Sequence, residues 1–336
     1  MSTTDEFSCF FVDRDENERI RHRIRPLTLA ELPAGEVTIR VAWSSLNYKD
    51  YLASQGHPGV AGQLPHIPGI DAAGIVAESD VDDIAADQPV VVTGYELGAP
   101  AWGGWSEFIR VPAEWVVPLP LGMSLRQSMV LGTAGFTAAQ SVRELQTNSI
   151  TPDSGPIVVT GASGGVGCWT VRLLAHLGYE VHAVSGKKEI ADDLLALGAA
   201  KVHGREAVQD NPERPMLKAK WAGAVDTVGG SVLDAILKST HIDGCVSACG
   251  LVAGDKLNLT VYPFILRGVK LAGVTSSSCP REPREWIWQQ LSGDWQTALT
   301  DRFVQETTLS ALPDKINAIG DGKIVGRTVV NINGAK

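Results

Sequence analysis

No run of this 336-residue chain reaches the roughly 18 apolar residues that a membrane-spanning helix needs. Nor does its start, Met1-Ser-Thr-Thr-Asp-Glu6, carry the basic stretch and apolar run of a secretory signal. Both absences make the cytoplasm the expected compartment. Cysteine is scarce: Cys9, Cys168, Cys245, Cys249 and Cys279 are scattered and odd in number, which suits reduced thiols better than a disulfide framework. Positive charge is also short. With 29 Lys and Arg against 38 Asp and Glu the net charge is −9, so no general surface for nucleic acid or anionic membrane is expected. Metal-ligand clusters are missing as well, because the seven histidines stand apart and no His, Cys and carboxylate set has ligand spacing. Polarisation of a carbonyl by a Lewis acid is then not expected, and hydrogen-bond donors must take that part.

What remains is the composition of an ordinary globular protein, 44% hydrophobic and 20% charged, in a chain longer than one typical domain. Two domains are expected. From Phe7 to about Val117 short, often alternating apolar runs are broken by Gly and Pro, which predicts a β-rich unit. From about Leu125 to Gly273 strands alternate with helices, including strands at Ile157–Thr160, Val181–Val184, Ala224–Val228 and Cys245–Cys249. That alternation predicts a doubly wound parallel sheet, an α/β architecture. A Trp-rich helix near Pro283–Gln290, another near Leu312–Ile319 and a last strand at Gly326–Ile332 complete the chain. Arg19, Arg21, Arg23 and Arg25 alternate with Ile20, His22 and Ile24, so a strand would set all four guanidinium groups on one face. We read this as a solvated sheet face, with an anion-binding patch as the alternative.

The most informative segment is Pro156-Ile-Val-Val-Thr-Gly-Ala-Ser-Gly-Gly-Val-Gly167, an apolar strand running into a glycine turn that opens a helix. Backbone N–H groups at the start of such a helix meet a pyrophosphate, and glycine lets the phosphates approach. A second strand follows at Tyr179–Val184, as a dinucleotide cradle requires. An acidic residue about 20 positions past the glycines would hold the ribose 2′-hydroxyl of NAD. Here the strand ends instead in Val184-Ser185-Gly186-Lys187-Lys188. Ser185 and Lys187, with Arg205 as a second cation, are therefore expected on a 2′-phosphate, and NADPH is the expected cofactor.

Longer motifs tie these pieces together. Trp43-Ser-Ser-Leu-Asn-Tyr-Lys-Asp50, Pro68-Gly-Ile-Asp-Ala-Ala-Gly74, Leu131-Gly-Thr-Ala-Gly-Phe-Thr-Ala138, Val159–Gly167, Trp221–Gly229 and Pro263-Phe-Ile-Leu-Arg-Gly268 stand in order along nearly the whole chain. They closely resemble the medium-chain dehydrogenase/reductase superfamily, and within it the zinc-independent branch of acryloyl-CoA reductases and quinone oxidoreductases. The resemblance implies a GroES-like catalytic domain, residues 1–124 and 275–336, around a Rossmann NADP-binding domain, residues 125–274, with the active site in the cleft between them. It also implies the loss of both zinc sites, since Gly69-Ile70-Asp71 stands where zinc-dependent relatives carry Gly-His-Glu, and their four-cysteine lobe is missing. Position by position, it places the cofactor on Tyr48, Ser163, Gly164, Gly165, Val166, Ser185, Gly186, Lys187, Arg205, Leu251, Ile265 and Ser276. Thr133 is expected near the nicotinamide and Arg327 is expected to reach into the cleft.

The activity implied is NADPH-dependent reduction of the C=C bond of a short 2-enoyl-CoA such as acryloyl-CoA, with quinone reduction as the alternative. A nucleotide-binding protein without turnover is a third reading. Tyr48 is the candidate proton donor, assisted by Asn47, unless its ring only stacks on the nicotinamide. Lys49 and Asp50 read as a structural pair or a helix cap. The expected partner is a small-molecule substrate, and the expected assembly is a homodimer joined at sheet edges, with Val269–Gly273 as its seam.

Overall fold

The computed structural model describes residues 6–334. Strands β1 (Glu6–Arg14) and β2 (Ile20–Thr28) form an antiparallel hairpin. Strand β3 (Val37–Leu46) leads through Asn47 into helix α1 (Tyr48–Ser54), and β4 (Asp71–Ser79), β5 (Pro89–Thr93), β6 (Phe108–Val111) and β7 (Val117–Pro118) follow. Helix α2 (Leu125–Thr147) comes next, broken at Gly132, where φ is +51° and ψ −158°. Then β8 (Ile157–Val159), α3 (Gly165–His176), β9 (Val181–Val184), α4 (Ala191–Leu197), β10 (Lys201–His203), β11 (Trp221–Asp226), α5 (Gly230–Ser239), β12 (Thr240–Ala248), α6 (Tyr262–Arg267) and β13 (Lys270–Gly273) alternate. Helix α7 (Arg281–Ser292), β14 (Val304–Thr308), α8 (Leu312–Gly320) and β15 (Arg327–Asn331) end the chain.

The chain divides into two compact units. The first holds the residues up to Thr133, Ser277–Ser292 and the segment from Val304 onward. Its seven-stranded sheet runs β14-β15-β3-β4-β5-β7, with β6 also paired to β3. Alternating residues of these strands bury Val37, Ile39, Val41, Val90, Val92 and Val330 in one core with Phe10, Trp105 and Phe108 from the hairpin side. The second unit, Ala134–Ser276 with Gly293–Phe303, holds a six-stranded all-parallel sheet of order β10-β9-β8-β11-β12-β13. Counted from β8 this is the 3-2-1-4-5-6 order of a Rossmann sheet. Its central strands are buried on both faces and read as unbroken apolar runs for that reason.

The boundaries differ from the sequence reading, the second junction falling at Ser276/Ser277 rather than at 274/275. The first junction falls at Thr133/Ala134 rather than at 124/125, because the first turns of α2 pack with the β-rich unit up to the Gly132 break. Gly293–Phe303, expected with the catalytic domain, belongs to the Rossmann unit, where Thr297 accepts a hydrogen bond from Arg172 at 2.6 Å. Strand β11 also starts and ends earlier than Ala224–Val228, since Thr227 and Val228 already form the turn beyond it.

Candidate active site

In the β-rich unit a buried polar network sits under the start of α1. Asp50, at the third helical position, accepts the Asn47 backbone N–H at 2.7 Å, the reciprocal half of a capping box. Its other oxygen accepts the backbone N–H groups of Gly69 at 3.0 Å and Ile70 at 2.8 Å. The cap reading of Asp50 therefore holds, but its reach to Gly69 and Ile70 had no signal in the sequence. Asn47 lays its amide nitrogen within 3.2 Å of Ser45 Oγ, Asp50 Oδ2 and Asp71 Oδ2. Asp71 accepts further from the Ser45 hydroxyl at 2.5 Å and from Thr133 through both its backbone N–H and its hydroxyl.

Arg327 completes the network. Its guanidinium donates to Asn47 Oδ1 at 2.9 Å and to the Val130 carbonyl at 3.0 Å, and it lies 3.8 Å from Asp71 Oδ2. A Cβ on Gly132 would stand 2.5 Å from Asp71 Oδ2 and 2.7 Å from Arg327 Nη2, so only glycine lets the broken helix close over this ion pair. The buried cation pairs with Asp71, while Asp50 is held by N–H donors alone. Burial, and then the charge of Asp71, push the Asp50 carboxyl up to about 7.

Three of the expected site residues lie in this network. Arg327 has a side chain 2% exposed and donates to Asn47 and to the Val130 carbonyl. Asn47 is likewise spent on the network, so it positions α1 rather than assisting chemistry directly. The Thr133 hydroxyl gives its proton to Asp71 at 2.6 Å and keeps only acceptor capacity for a ligand. Tyr48 is the exception. It stands first on α1, 40% exposed, its ring 5.6 Å from that of Tyr51, and its phenol makes no hydrogen bond among the described residues. Trp105, Trp288 and Trp295 are buried. Arg284 is buried as well, over the Tyr95 ring at 4.1 Å and donating to the Thr93 carbonyl.

In the Rossmann unit the expected cofactor residues gather at the carboxyl ends of the parallel strands, where ligands bind such sheets. The turn Thr160–Gly164 follows β8, Ser185–Lys187 follow β9, Arg205 follows β10, Leu251 follows β12 and Ser276 follows β13. Gly161 has φ +56° and a Cβ there would lie 2.4 Å from Thr227 Oγ1, while a Cβ on Gly167 would lie 2.2 Å from the Gly161 carbonyl oxygen. Ser163, Gly164, Gly165 and Val166 are half-buried along the rim of this turn. Asp226 pins the turn to its neighbour: it accepts the Thr160 hydroxyl at 2.7 Å and the Gly229 N–H at 2.7 Å, and burial raises its carboxyl. Leu251 and Ile265, at 64% and 67% exposed, leave apolar side chains open.

At the end of β9 the Ser185 hydroxyl accepts the Lys187 N–H at 3.1 Å, and Arg205 lies so close over Gly186 that a Cβ would come within 2.5 Å of its Nε. Burial lowers the Lys187 ammonium. No carboxylate stands between Val184 and Lys188. A hydroxyl, an ammonium and a guanidinium around a bare backbone fit a phosphorylated ribose, and the glycine turn fits a pyrophosphate. Histidines that stand apart in sequence meet here: His182 and His203 approach to 3.2 Å, with Glu180 at 2.9 Å from His182, because β9 and β10 pair in parallel. Among the described residues no group of three His, Cys, Asp or Glu is placed to hold a metal.

Comparison with known proteins agrees with this geometry. The alcohol dehydrogenase GroES-like domain matches residues 33–121, and the zinc-binding dehydrogenase domain matches residues 165–293. Acrylyl-CoA reductase AcuI of Ruegeria pomeroyi is 42% identical over 328 residues, 97% of this chain and 99% of that protein. The yhdH oxidoreductase of Salmonella enterica, solved in complex with NADP, superposes with a TM-score of 0.94 at 42% identity, over 97% of this chain and all (100%) of that one. Protein yhfP of Bacillus subtilis, solved with NAD bound, gives a TM-score of 0.94 at 40% identity, over 98% of this chain and 100% of that one.

Proposed function

The chain belongs to the medium-chain dehydrogenase/reductase family, and on that premise we propose that it is an NADPH-dependent reductase of the C=C bond of a short 2-enoyl-CoA such as acryloyl-CoA. The observation that carries this reading is 42% identity over nearly the whole chain to an acrylyl-CoA reductase, and the hydroxyl, ammonium and guanidinium gathered at the end of β9 support it. When bound, NADPH supplies the hydride for the β-carbon of the enoyl group. The protein must then hold the nucleotide, meet the negative charge that grows on the thioester oxygen, and return a proton to the α-carbon.

Ser163 to Val166 would take the pyrophosphate, and Ser185, Gly186, Lys187 and Arg205 the 2′-phosphate. Leu251, Ile265 and Ser276 would flank the rest of the cofactor, with Thr133 offering an acceptor. Tyr48 holds the one exposed phenol that the buried network presents on a fixed helix start, and it is the proton donor in this reading. Asn47, Asp50, Asp71 and Arg327 act behind it by fixing α1.

The assay that decides is NADPH oxidation against acryloyl-CoA, crotonyl-CoA and a set of unrelated quinones. Preference for the short enoyl thioesters is expected. Comparable rates with several quinones and indifference to coenzyme A would favour a quinone reductase, and tight NADPH binding without turnover would reject enzyme function. A homodimer is also proposed, because β13 is the outer strand of its sheet and exposes Leu271. The cytoplasm is the proposed location; no helix is long and apolar enough to cross a membrane, and the five cysteines form no disulfide among the described residues.

A further inference from the structure

Arg23 and Arg25 of β2 line a hollow that the reductase reading leaves without a role. A cavity of about 610 Å³ opens in the β-rich unit among Phe11, Arg14, Arg23, Arg25, Gly56 and Leu64. The hairpin register sets Phe11 opposite Arg23, Cys9 opposite Arg25 and Asp13 opposite Arg21, so the guanidinium groups share the face that Phe11 and Asp13 occupy. Arg25 lies 4.8 Å and Arg23 5.6 Å from the centre of the Phe11 ring, which attracts both cations to an apolar floor. Among the described residues Arg23 gives one guanidinium nitrogen to Asp13, and Arg25 gives one to Glu31 at 3.1 Å. A guanidinium has five N–H donors, so both forks keep donors for an anion. Three guanidinium groups against one carboxylate line the cavity in a protein whose net charge is −9.

We propose that this hollow binds the phosphorylated adenosine end of the coenzyme A carrier. The proposal rests on the thioester reading above. The far wall, Gly56 with Pro58, Leu64 and Pro65, supplies apolar surface for a purine beside the cations for its phosphates. Helix α1 runs from Tyr48 to Ser54, about 9 Å at 1.5 Å per residue, and Gly56 lies two residues beyond its end, so the wall stands about one helix length from the proposed proton donor. An extended pantetheine arm covers that span. The adenosine phosphates would sit on the arginines while the thioester lies at Tyr48.

The test compares acryloyl-CoA with the acryloyl thioester of pantetheine, which lacks the nucleotide, in the wild type and in the Arg23→Ala/Arg25→Ala double variant. For the wild type, acryloyl-CoA is expected to have the lower KM, and adenosine 3′,5′-bisphosphate is expected to compete with it. In the variant the ratio of kcat/KM for acryloyl-CoA over acryloyl-pantetheine should fall about tenfold or more, the size of a lost charge-assisted hydrogen bond. Because the ratio is taken within one preparation, partial unfolding cancels. An unchanged ratio, or a wild type that treats the two thioesters alike, overturns the subsite while leaving the reductase standing. A wild type that reduces neither thioester but turns over quinones removes both readings.

Discussion

Arg327 and Asp71 form a buried ion pair at 3.8 Å, with side chains 2% and 0% exposed. The pair ties the last strand of the chain to the start of β4 directly beneath Tyr48. Removing the cation alone would leave the buried Asp71 carboxylate without its charge partner. Arg327→Met is therefore expected to cost about 3–5 kcal/mol of stability, read by urea unfolding. Gly132→Ala should destabilise as well, since its Cβ would intrude on Asp71 at a φ of +51°. Wild-type stability in either variant would show that the network contributes little.

Asp50 makes stability depend on pH in a defined direction. Its carboxyl is raised from 3.8 to about 7, so across that interval the folded state holds a proton that the unfolded state has released. Its contribution is greatest below pH 3.8 and is lost as pH rises through about 7. Urea unfolding between these values should show wild-type stability declining with pH relative to Asp50→Asn, which removes the titration. Parallel profiles would place the proton elsewhere.

Tyr48→Phe separates the two roles open to the phenol. As proton donor, its loss should lower kcat about 10²-fold or more, with NADPH affinity unchanged in a fluorescence titration. Full activity would mean that the ring only stacks.

In the proposed reading, cofactor choice rests on Gly186 and Arg205. A Cβ at position 186 collides with the flexible guanidinium and not with backbone, so Gly186→Ala should fold normally yet displace Arg205. The preference for NADPH over NADH, as a ratio of kcat/KM, should drop about tenfold, as for a lost charge-assisted contact. An unchanged ratio would assign the 2′-phosphate to other residues.

Placing a charge on the outer strand tests the assembly. Leu271→Asp should shift the proposed dimer to monomer in sedimentation, because an exposed edge tolerates an acid while a paired one does not. A single unchanged species would put the contact on another surface.

Local signals were readable without a structure. The glycine turn, the apolar strands before and after it and the capping role open to Asp50 depend on neighbours within a few positions, so their spacing carries them. The capture of Asn47 by Arg327 links residues 280 apart, and nothing in either neighbourhood announces it. The same holds for His182 and His203, joined only when β9 and β10 pair.

By itself the sequence settled the order of elements, the nucleotide turn and the missing acid after β9, since short-range sterics and hydrogen bonding act along the chain. Tertiary packing decided which polar groups were left for chemistry. Burial made Asn47 and Arg327 satisfy Asp71 instead of facing outward, because an unpaired charge in the interior costs far more than the loss of an exposed donor.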